Sequence, residues 1–356
     1  MREHAGPPDA DAVLAGDASP GPWLDRWWVE ETALRTAALR RAADVYSDHW
    51  WSVAFALDAP ETFAALRHPV AGMLGRSLLD YDRPLDPDAV TSAYPMAMAM
   101  LVEAGEVRPD RVSGCAYLPG SRVAPPGARP LPVIGEGSWT IEINACDPLL
   151  ARFADPRDDL STTRAAWAGV GAAAGQVLRR AGSDAAASVA ALTQVLVPLR
   201  QRDGRIIGRP EFEIQSCSVS SAPGVVYASL GRPDPWYTAE VLVHEATHQL
   251  VEVVAALTPL TQDDTVRLPS PWKEEPRPPA ALLHGIAAFG AVMRFWHRAG
   301  RLPDAPPAAP DEVSRRARQV LTACATARSA AHAYTPVALA MIEQRTVEAA
   351  GVLGGR

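Results

Sequence analysis

The chain has little cysteine. Four residues in 356 are cysteines, at Cys115, Cys146, Cys217 and Cys324, and no two of them form a C-x-x-C pair. Such a scattered set matches neither a disulfide framework nor a zinc ribbon. We therefore expect reduced thiols, as in a cytoplasmic protein.

The sequence also lacks a basic excess, a transmembrane run and a signal peptide. Its 34 Lys and Arg against 41 Asp and Glu give a net charge of −7, which argues against a nucleic-acid-binding surface. No apolar run reaches the length of a membrane span, and residues 1–25 have no apolar core of the kind a signal peptide needs. The expected protein is cytoplasmic and has neither nucleic acid nor a membrane as its partner.

The segment Ala239–Leu250 carries the strongest chemical signal, the motif H-E-x-x-H formed by His244, Glu245 and His248. Two histidines four residues apart on a helix point into one space. That arrangement suits a metal ion held by two neutral nitrogens, with Glu245 as acid, base or outer support. The alternative is a chance motif on an amphipathic helix, with two partly exposed histidines and a solvated glutamate. Apolar residues at helical spacing predict the helix itself: Leu242, Ala246, Leu250, Val253 and Leu257.

The motif alone does not provide a third ligand. Glu252 is expected to rotate off the histidine face, and Glu274 and Glu275 lie in a Pro-rich segment where solvation is favoured. His284 lies 36 residues past the motif, inside an apolar helix where a lone imidazole needs a partner. His284 is therefore the preferred third ligand, and a satisfied core histidine is the alternative.

The wider pattern predicts an α+β fold, predominantly α-helical, with a zincin-like metal helix packed beside a small β-sheet. Composition predicts a disordered tail over residues 1–22. A helical region over 23–110 and a catalytic region over 111–356 follow.

Within the catalytic region, strands are expected at about 114–146 and 211–231 and the metal helices at about 238–257 and 279–299. A further helix is expected from 184 to 200. The strands before the motif could bind an extended peptide by strand addition, or could only cover the metal helix.

Around the motif, the chain resembles the HExxH family of peptide-modifying proteins. The resemblance covers about residues 210–300 and is carried by Leu242–Leu250, Ser270–Pro278 and Leu283–Phe289. Characterised members are similar to Fe(II)- and 2-oxoglutarate-dependent oxygenases that hydroxylate a side-chain β-carbon of a ribosomally synthesised precursor peptide. By this likeness the iron ligands would be His244, His248 and His284, and Arg277 would clamp the distal carboxylate of 2-oxoglutarate.

Other assignments stay open at this point. In a zinc metallopeptidase the general base would be Glu245, but the sequence has no carboxylate on a clear downstream helix, and Val254 occupies the final ligand position of the longer metzincin pattern. A non-catalytic partner in peptide maturation is a further alternative. Three histidines also depart from the common set of two histidines and one carboxylate. Rivals of Arg277 as the clamp are Lys273, Arg267 and Arg294.

Overall fold

The computed structural model describes residues 10–15, 18–46, 66–79, 95–102, 133–136, 139–144, 147–151, 160–198, 216–218, 222–228 and 234–355, with short pieces between 104 and 111. The chain divides into two compact units. The first contains residues 1–27, 169–192 and 233–356, and the second contains 28–168 and 193–232. Because both units combine separate segments, the division does not follow the predicted boundary at residue 110.

Helices dominate the described residues, and the sheets are small, so the predicted α+β, mostly helical fold is confirmed. The helices are α1 (Ala10–Ala15), α2 (Gly21–Tyr46), α3 (Pro69–Leu79), α4 (Pro148–Ala151), α5 (Leu160–Ala181), α6 (Ser183–Leu192), α7 (Pro235–Leu257), α8 (Pro279–Ala299), α9 (Ala309–Ser329) and α10 (Pro336–Gly354). The strands are β1 (Val133–Glu136), β2 (Trp139–Ile143), β3 (Val195–Pro198), β4 (Ser216–Cys217), β5 (Val225–Ala228), β6 (Leu268–Ser270) and β7 (Lys273–Arg277).

The first unit is built around α7 and α8, which run antiparallel. The Asp234 side chain caps α7 by accepting from the backbone N–H of Trp236 at 2.8 Å, and Pro235 fits the first helical turn because its missing N–H is not needed there. Helix α8 also begins with a proline, Pro279, but without a side-chain cap. It then packs on α7 and α9, and its buried stripe includes Ile286, Met293 and Trp296.

Strands β6 and β7 form an antiparallel hairpin in this first unit, inside the segment expected to be a Pro-rich loop. Leu268 pairs with Arg277 and Ser270 with Lys273, with an irregular register between them. Strand β6 contacts α8 and α9, whereas residues 273–276 of β7 are exposed. The short strands were not predictable because proline interrupts both of them.

The second unit contains a five-stranded sheet in the order β1-β2-β3-β5-β4. Strands β2, β3 and β5 are parallel neighbours, and the two outer pairs are antiparallel. The predicted helix over 184–200 is wrong beyond residue 192, because β3 begins at Val195. Its residues are all buried, as expected for a central parallel strand that reads as a continuous apolar run.

Other expectations fall partly within the described residues. Strands predicted at about 211–231 are confirmed at Ser216–Cys217 and Val225–Ala228, and the strand predicted around residue 140 is confirmed at Trp139–Ile143. The strand expected at 114–118 lies outside the described residues. In the N-terminal helical region the described residues 95–102 are helical, as are α2 and α3.

The prediction of a disordered tail over residues 1–22 is wrong for residues 10–15. These residues form α1, and the side chains of Val13 and Leu14 are only 2% and 1% exposed. The carbonyl of Leu14 accepts a hydrogen bond from Nη2 of Arg345 at 3.1 Å. Burial of these apolar side chains outweighs the polar, Pro/Gly-rich composition around them.

Helix α8 has the length and apolarity of a membrane span, the one case among the described residues. Of its apolar window, 67% is buried inside the protein. A buried core helix of a soluble protein gives the same pattern.

Candidate metal site

Three histidines from two helices lie side by side in the first unit. His244 and His248 lie one turn apart on α7, with ring centroids 4.6 Å apart in a T-shaped arrangement. His284, in the second turn of α8, stacks on His248 with a centroid distance of 5.5 Å. The structure thus brings together all three predicted histidines.

The two motif histidines turn the same kind of nitrogen toward each other. Nε2 of His244 and Nε2 of His248 are 3.0 Å apart. Two nitrogens each about 2.1 Å from one ion, and at right angles as seen from it, would be separated by about 3.0 Å. The His244–His248 pair therefore fits two adjacent positions around one divalent ion.

His284 is close to this pair but faces a different nitrogen. Its Nδ1 lies 3.4 Å from Nδ1 of His248, whereas His248 meets His244 through Nε2. The three donor nitrogens do not converge on one point, and no three His, Cys, Asp or Glu side chains in the described part of the chain form a metal-binding group. The three-ligand assignment therefore stays a prediction, and a ring rotation at His284 is needed to complete it.

Glu252 extends this row of side chains toward the solvent. Its Oε1 lies 3.6 Å from Nε2 of His284, and its side chain is 49% exposed. The sequence reasoning placed Glu252 off the histidine face. A step of four residues rotates the side chain by only about 40° around a helix, so the series His244, His248, Glu252 drifts slowly enough for the glutamate to reach His284.

The environment keeps all three rings neutral. Burial lowers the pKa of His244 well below its usual value, and the neighbouring His248 ring and the Arg316 cation lower it further. Burial, with a contribution from His284, lowers the pKa of His248 to about 4. The pKa of His284 is also lowered by burial, against an opposing effect of Glu252. Neutral imidazoles are the form that binds metal.

Aromatic rings close one side of the cluster. The ring of Phe289 meets His244 edge-on at 4.7 Å, and Trp272 stacks on Phe289 at 4.6 Å. A Cβ built on Gly285 would lie 2.5 Å from the Trp272 ring, so the glycine is what lets the tip of the β6–β7 hairpin pack against α8. Sequence reasoning passed over these roles, although glycine directly after His284 was a visible signal of close packing.

A second polar cluster lies one turn before His244 on α7. Glu240 accepts from Nε1 of Trp296 at 2.7 Å through one oxygen and from Arg316 through the other. The Arg316 guanidinium also lies 4.6 Å from the centre of the Phe289 ring. Its charge therefore lies beside the histidines while its hydrogen bonds are directed to Glu240.

Glu245 is buried at 2% exposure in the middle of α7. As the residue after His244 it is held in the protein interior next to the metal-ligand candidates. Its role as acid, base or outer support stays a prediction.

The candidates for a carboxylate clamp differ in the hydrogen bonds and ion pairs that they already make. Arg267 donates to three backbone carbonyls of its own loop, and Arg294 pairs with Glu348 at 3.3 Å. Arg277 ends β7, two residues before α8, and its partly exposed side chain makes no ion pair with the residues that the structure describes. Lys273 is exposed at the other end of the same strand. The hairpin thus carries two cations available to a ligand.

Comparison of the sequence with protein-family models and with curated proteins finds no match. The likeness to the HExxH peptide-modifying family stays a prediction that depends on the residues quoted above.

Proposed function

We propose that this chain is a Fe(II)- and 2-oxoglutarate-dependent oxygenase that hydroxylates a side-chain carbon of a ribosomally made peptide in the cytoplasm. One observation carries the proposal: the Nε2 atoms of His244 and His248 lie 3.0 Å apart, on half-buried side chains whose lowered pKa values keep both rings neutral. The adjacent His284 supports a third imidazole ligand. The peptide substrate is supported by the family resemblance.

The protein residues have separate tasks in this proposal. The neutral imidazoles of His244, His248 and His284 hold the ion through their nitrogen lone pairs. The rings of Phe289 and Trp272 limit the access of water to one side of the site. Arg277 binds the distal carboxylate of 2-oxoglutarate, because its planar guanidinium can donate to both oxygens at once. Glu245 orients a ligand from its buried position as outer support.

Bound ferrous iron would supply the activation of dioxygen, and 2-oxoglutarate would supply two electrons by losing CO2 and becoming succinate. Of the two oxygen atoms of dioxygen, one would appear in the peptide hydroxyl group and the other in succinate. The balance requires one succinate for each hydroxyl group formed.

The β6–β7 hairpin supports an extended substrate. A two-stranded sheet leaves each strand with one unpaired edge, and an extended peptide can add to such an edge through main-chain hydrogen bonds. Residues 273–276 of β7 are exposed, while β6 contacts the helices. We therefore assign the peptide to the outer edge of β7, beside the Trp272 tip that packs near the histidines.

The test is incubation of the full chain with a candidate precursor peptide, Fe(II), 2-oxoglutarate and air, followed by intact-mass analysis and a succinate assay. The proposal predicts a gain of one oxygen per peptide and an equal amount of succinate, both lost in His248→Ala. Zinc-dependent cleavage that Glu245→Ala abolishes would instead establish the metallopeptidase. An unchanged peptide with no succinate, in a chain that binds iron, would contradict the oxygenase.

A further inference from the structure

A cavity lies on the opposite side of α7 from the histidines, within the first unit. We refer to this cavity of about 230 Å³ as the chamber; its walls come from α1, residues 18–20, the end of α5, α6, α7, α8 and Arg345 of α10. The walls are mostly apolar and include Leu14, Leu250 and Phe295. Val243 and Thr247, the chain neighbours of His244 and His248, also line it, but the histidines themselves do not.

The polar part of the chamber consists of arginines together with the hydroxyl side chains of Ser19, Ser188 and Thr247. Arg294, Arg298 and Arg345 line it, and Arg294 and Arg298 also line a basic surface groove at the end of α8, together with Arg301. Among the described residues that line the chamber or the groove, Glu348 is the single carboxylate.

Glu348 is already shared between two of these arginines. It accepts from Nη1 of Arg345 at 2.7 Å and lies 3.3 Å from Nε of Arg294. A guanidinium has five N–H donors in a fixed fork, so an arginine that holds one carboxylate oxygen keeps donors for a second anion. The arginines at the chamber wall can therefore donate to a negatively charged ligand in addition to the partners they already have.

Two glycines make space for the arginines at this wall. A Cβ built on Gly182 would lie 2.7 Å from Nη1 of Arg298, and one on Gly290 would lie 2.6 Å from Nε of Arg345. Gly182 also has φ +153°, a backbone conformation that favours glycine. It joins α5 to α6, so the Arg298 guanidinium lies over the junction of two helices that line the chamber.

We propose that the chamber binds a small carboxylic acid with an apolar body. Its carboxylate is held by Arg294 and Arg298, between the chamber and the groove, and its body lies against Leu14, Leu250 and Phe295. The chamber is smaller than the roughly 300–1,000 Å³ of drug-sized pockets, which favours a ligand of about ten heavy atoms. This site is separate from the histidines and does not depend on the proposed oxygenase.

The probe is octanoate, and calorimetry and thermal unfolding of the full chain measure its binding. Octan-1-ol has the same body without the charge, and octylamine has the opposite charge. The proposal predicts that octanoate raises the unfolding temperature and binds at least about tenfold more tightly than octan-1-ol, since charged hydrogen bonds distinguish the two. Octylamine does not bind. Equal binding of octanoate and octan-1-ol, or no binding of either, would overturn the proposal.

Two matched variants locate the carboxylate. Arg298→Gln removes a charge shared by chamber and groove, and Arg301→Gln removes one from the groove alone. We expect octanoate affinity to fall about tenfold or more in Arg298→Gln and to stay within about twofold in Arg301→Gln. Equal losses in both variants would contradict this location. If Arg298→Gln does not fold, the comparison of octanoate with octan-1-ol on the unaltered chain still decides.

A further pair of probes identifies the source of the acid. Acetyl-leucine with a free carboxylate mimics a peptide C-terminus at about the size of octanoate, and its amide lacks the charge. Tighter binding of the free acid than of octanoate would identify a chain terminus, and the reverse would identify a free apolar acid. Both results support the binding of a carboxylate in the chamber. An amide that binds as well as the free acid would overturn this proposal.

Discussion

Two polar clusters lie one helical turn apart along α7, and they are built on opposite principles. Around Glu240, a buried acid receives hydrogen bonds from Trp296 and Arg316, so each charge faces its complement. Around His248, three imidazoles face one another, and the one acid in contact, Glu252, is half exposed and 3.6 Å from the last ring. In the first cluster the charges are paired with each other. In the second cluster the ring nitrogens of neighbouring imidazoles face one another.

The difference indicates which cluster serves structure and which serves a ligand. Buried charges are tolerated when they are paired, and removing one partner is strongly destabilising. Buried neutral imidazoles gain little from one another, because each contact needs one ring to donate and the next to accept. A divalent ion would satisfy lone pairs that the protein groups only partly satisfy.

The largest effect should come from breaking the paired cluster. Glu240→Gln leaves the buried Arg316 charge without its main partner, although Glu312 lies 3.8 Å away, and should lower the free energy of unfolding by about 3 kcal/mol. Urea unfolding of the metal-free chain measures this. The control is Glu343→Gln, which removes the partner of Arg328 from an exposed pair and should cost less than about 1 kcal/mol. Equal losses would mean that Glu240 does not stabilise the fold in the way described.

Breaking the histidine cluster should lower the affinity for a metal ion rather than the free energy of unfolding. His248→Ala removes the ring that contacts both other histidines, and we expect Co(II) affinity to fall more than about 100-fold, beyond the effect of losing an outer-shell group. Calorimetric titration measures the affinity. Glu240→Gln is the matched comparison on the same helix and should bind Co(II) nearly as the unaltered chain does. A similar loss of affinity in both variants would contradict the distinction between a structural cluster and a metal-binding cluster.

Acid should destabilise the metal-free chain through the histidines. The pKa of His248 falls to about 4 in the folded state, below the usual value of about 6.5, so the unfolded chain binds more protons between these values. Stability is fully present above about pH 6.5 and falls as the pH drops toward 4, by roughly 2–3 kcal/mol for this one group. Urea unfolding at several pH values in the presence of a chelator should show the slope.

The double variant His244→Ala/His248→Ala is the control for this slope and should flatten it. A slope unchanged by the double substitution would assign the pH dependence to other groups.

The smallest effect concerns the hairpin that closes the histidine cluster. Gly285→Ala places a methyl group against Trp272 and should destabilise by about 1–3 kcal/mol through overpacking. The control is Gly169→Ala, at an exposed helical position where a Cβ meets nothing within 4 Å, and it should stabilise slightly. Near-UV circular dichroism should report movement of Trp272 in the first variant alone. A stabilising Gly285→Ala would show that the hairpin tip does not pack there.

The sequence predicted the helix that carries the H-E-x-x-H motif and the proximity of His284 for identifiable reasons. Histidines four apart in an apolar run define a shared face, and a polar ring at residue 284 in an apolar helix required a partner. The pairing of Glu240 with Arg316 was not predictable, because the residues are 76 positions apart and meet only through helix packing.

Short elements were hidden for related reasons. Strand β3 has four residues, and a short apolar run does not distinguish a strand from the end of a helix. The β6–β7 hairpin contains prolines that argue against strands. Its position depends on the contact between Trp272 and Gly285, which involves two separate segments.

The most direct test of the central claim is to count the imidazoles around iron. X-ray absorption spectroscopy on the full chain, loaded anaerobically with Fe(II) and 2-oxoglutarate, reports the number of histidine ligands. We expect one ion per chain with three imidazoles, falling to two in His284→Ala. A substoichiometric ion, or a count that His284→Ala does not change, would contradict the claim that His244, His248 and His284 form one metal site.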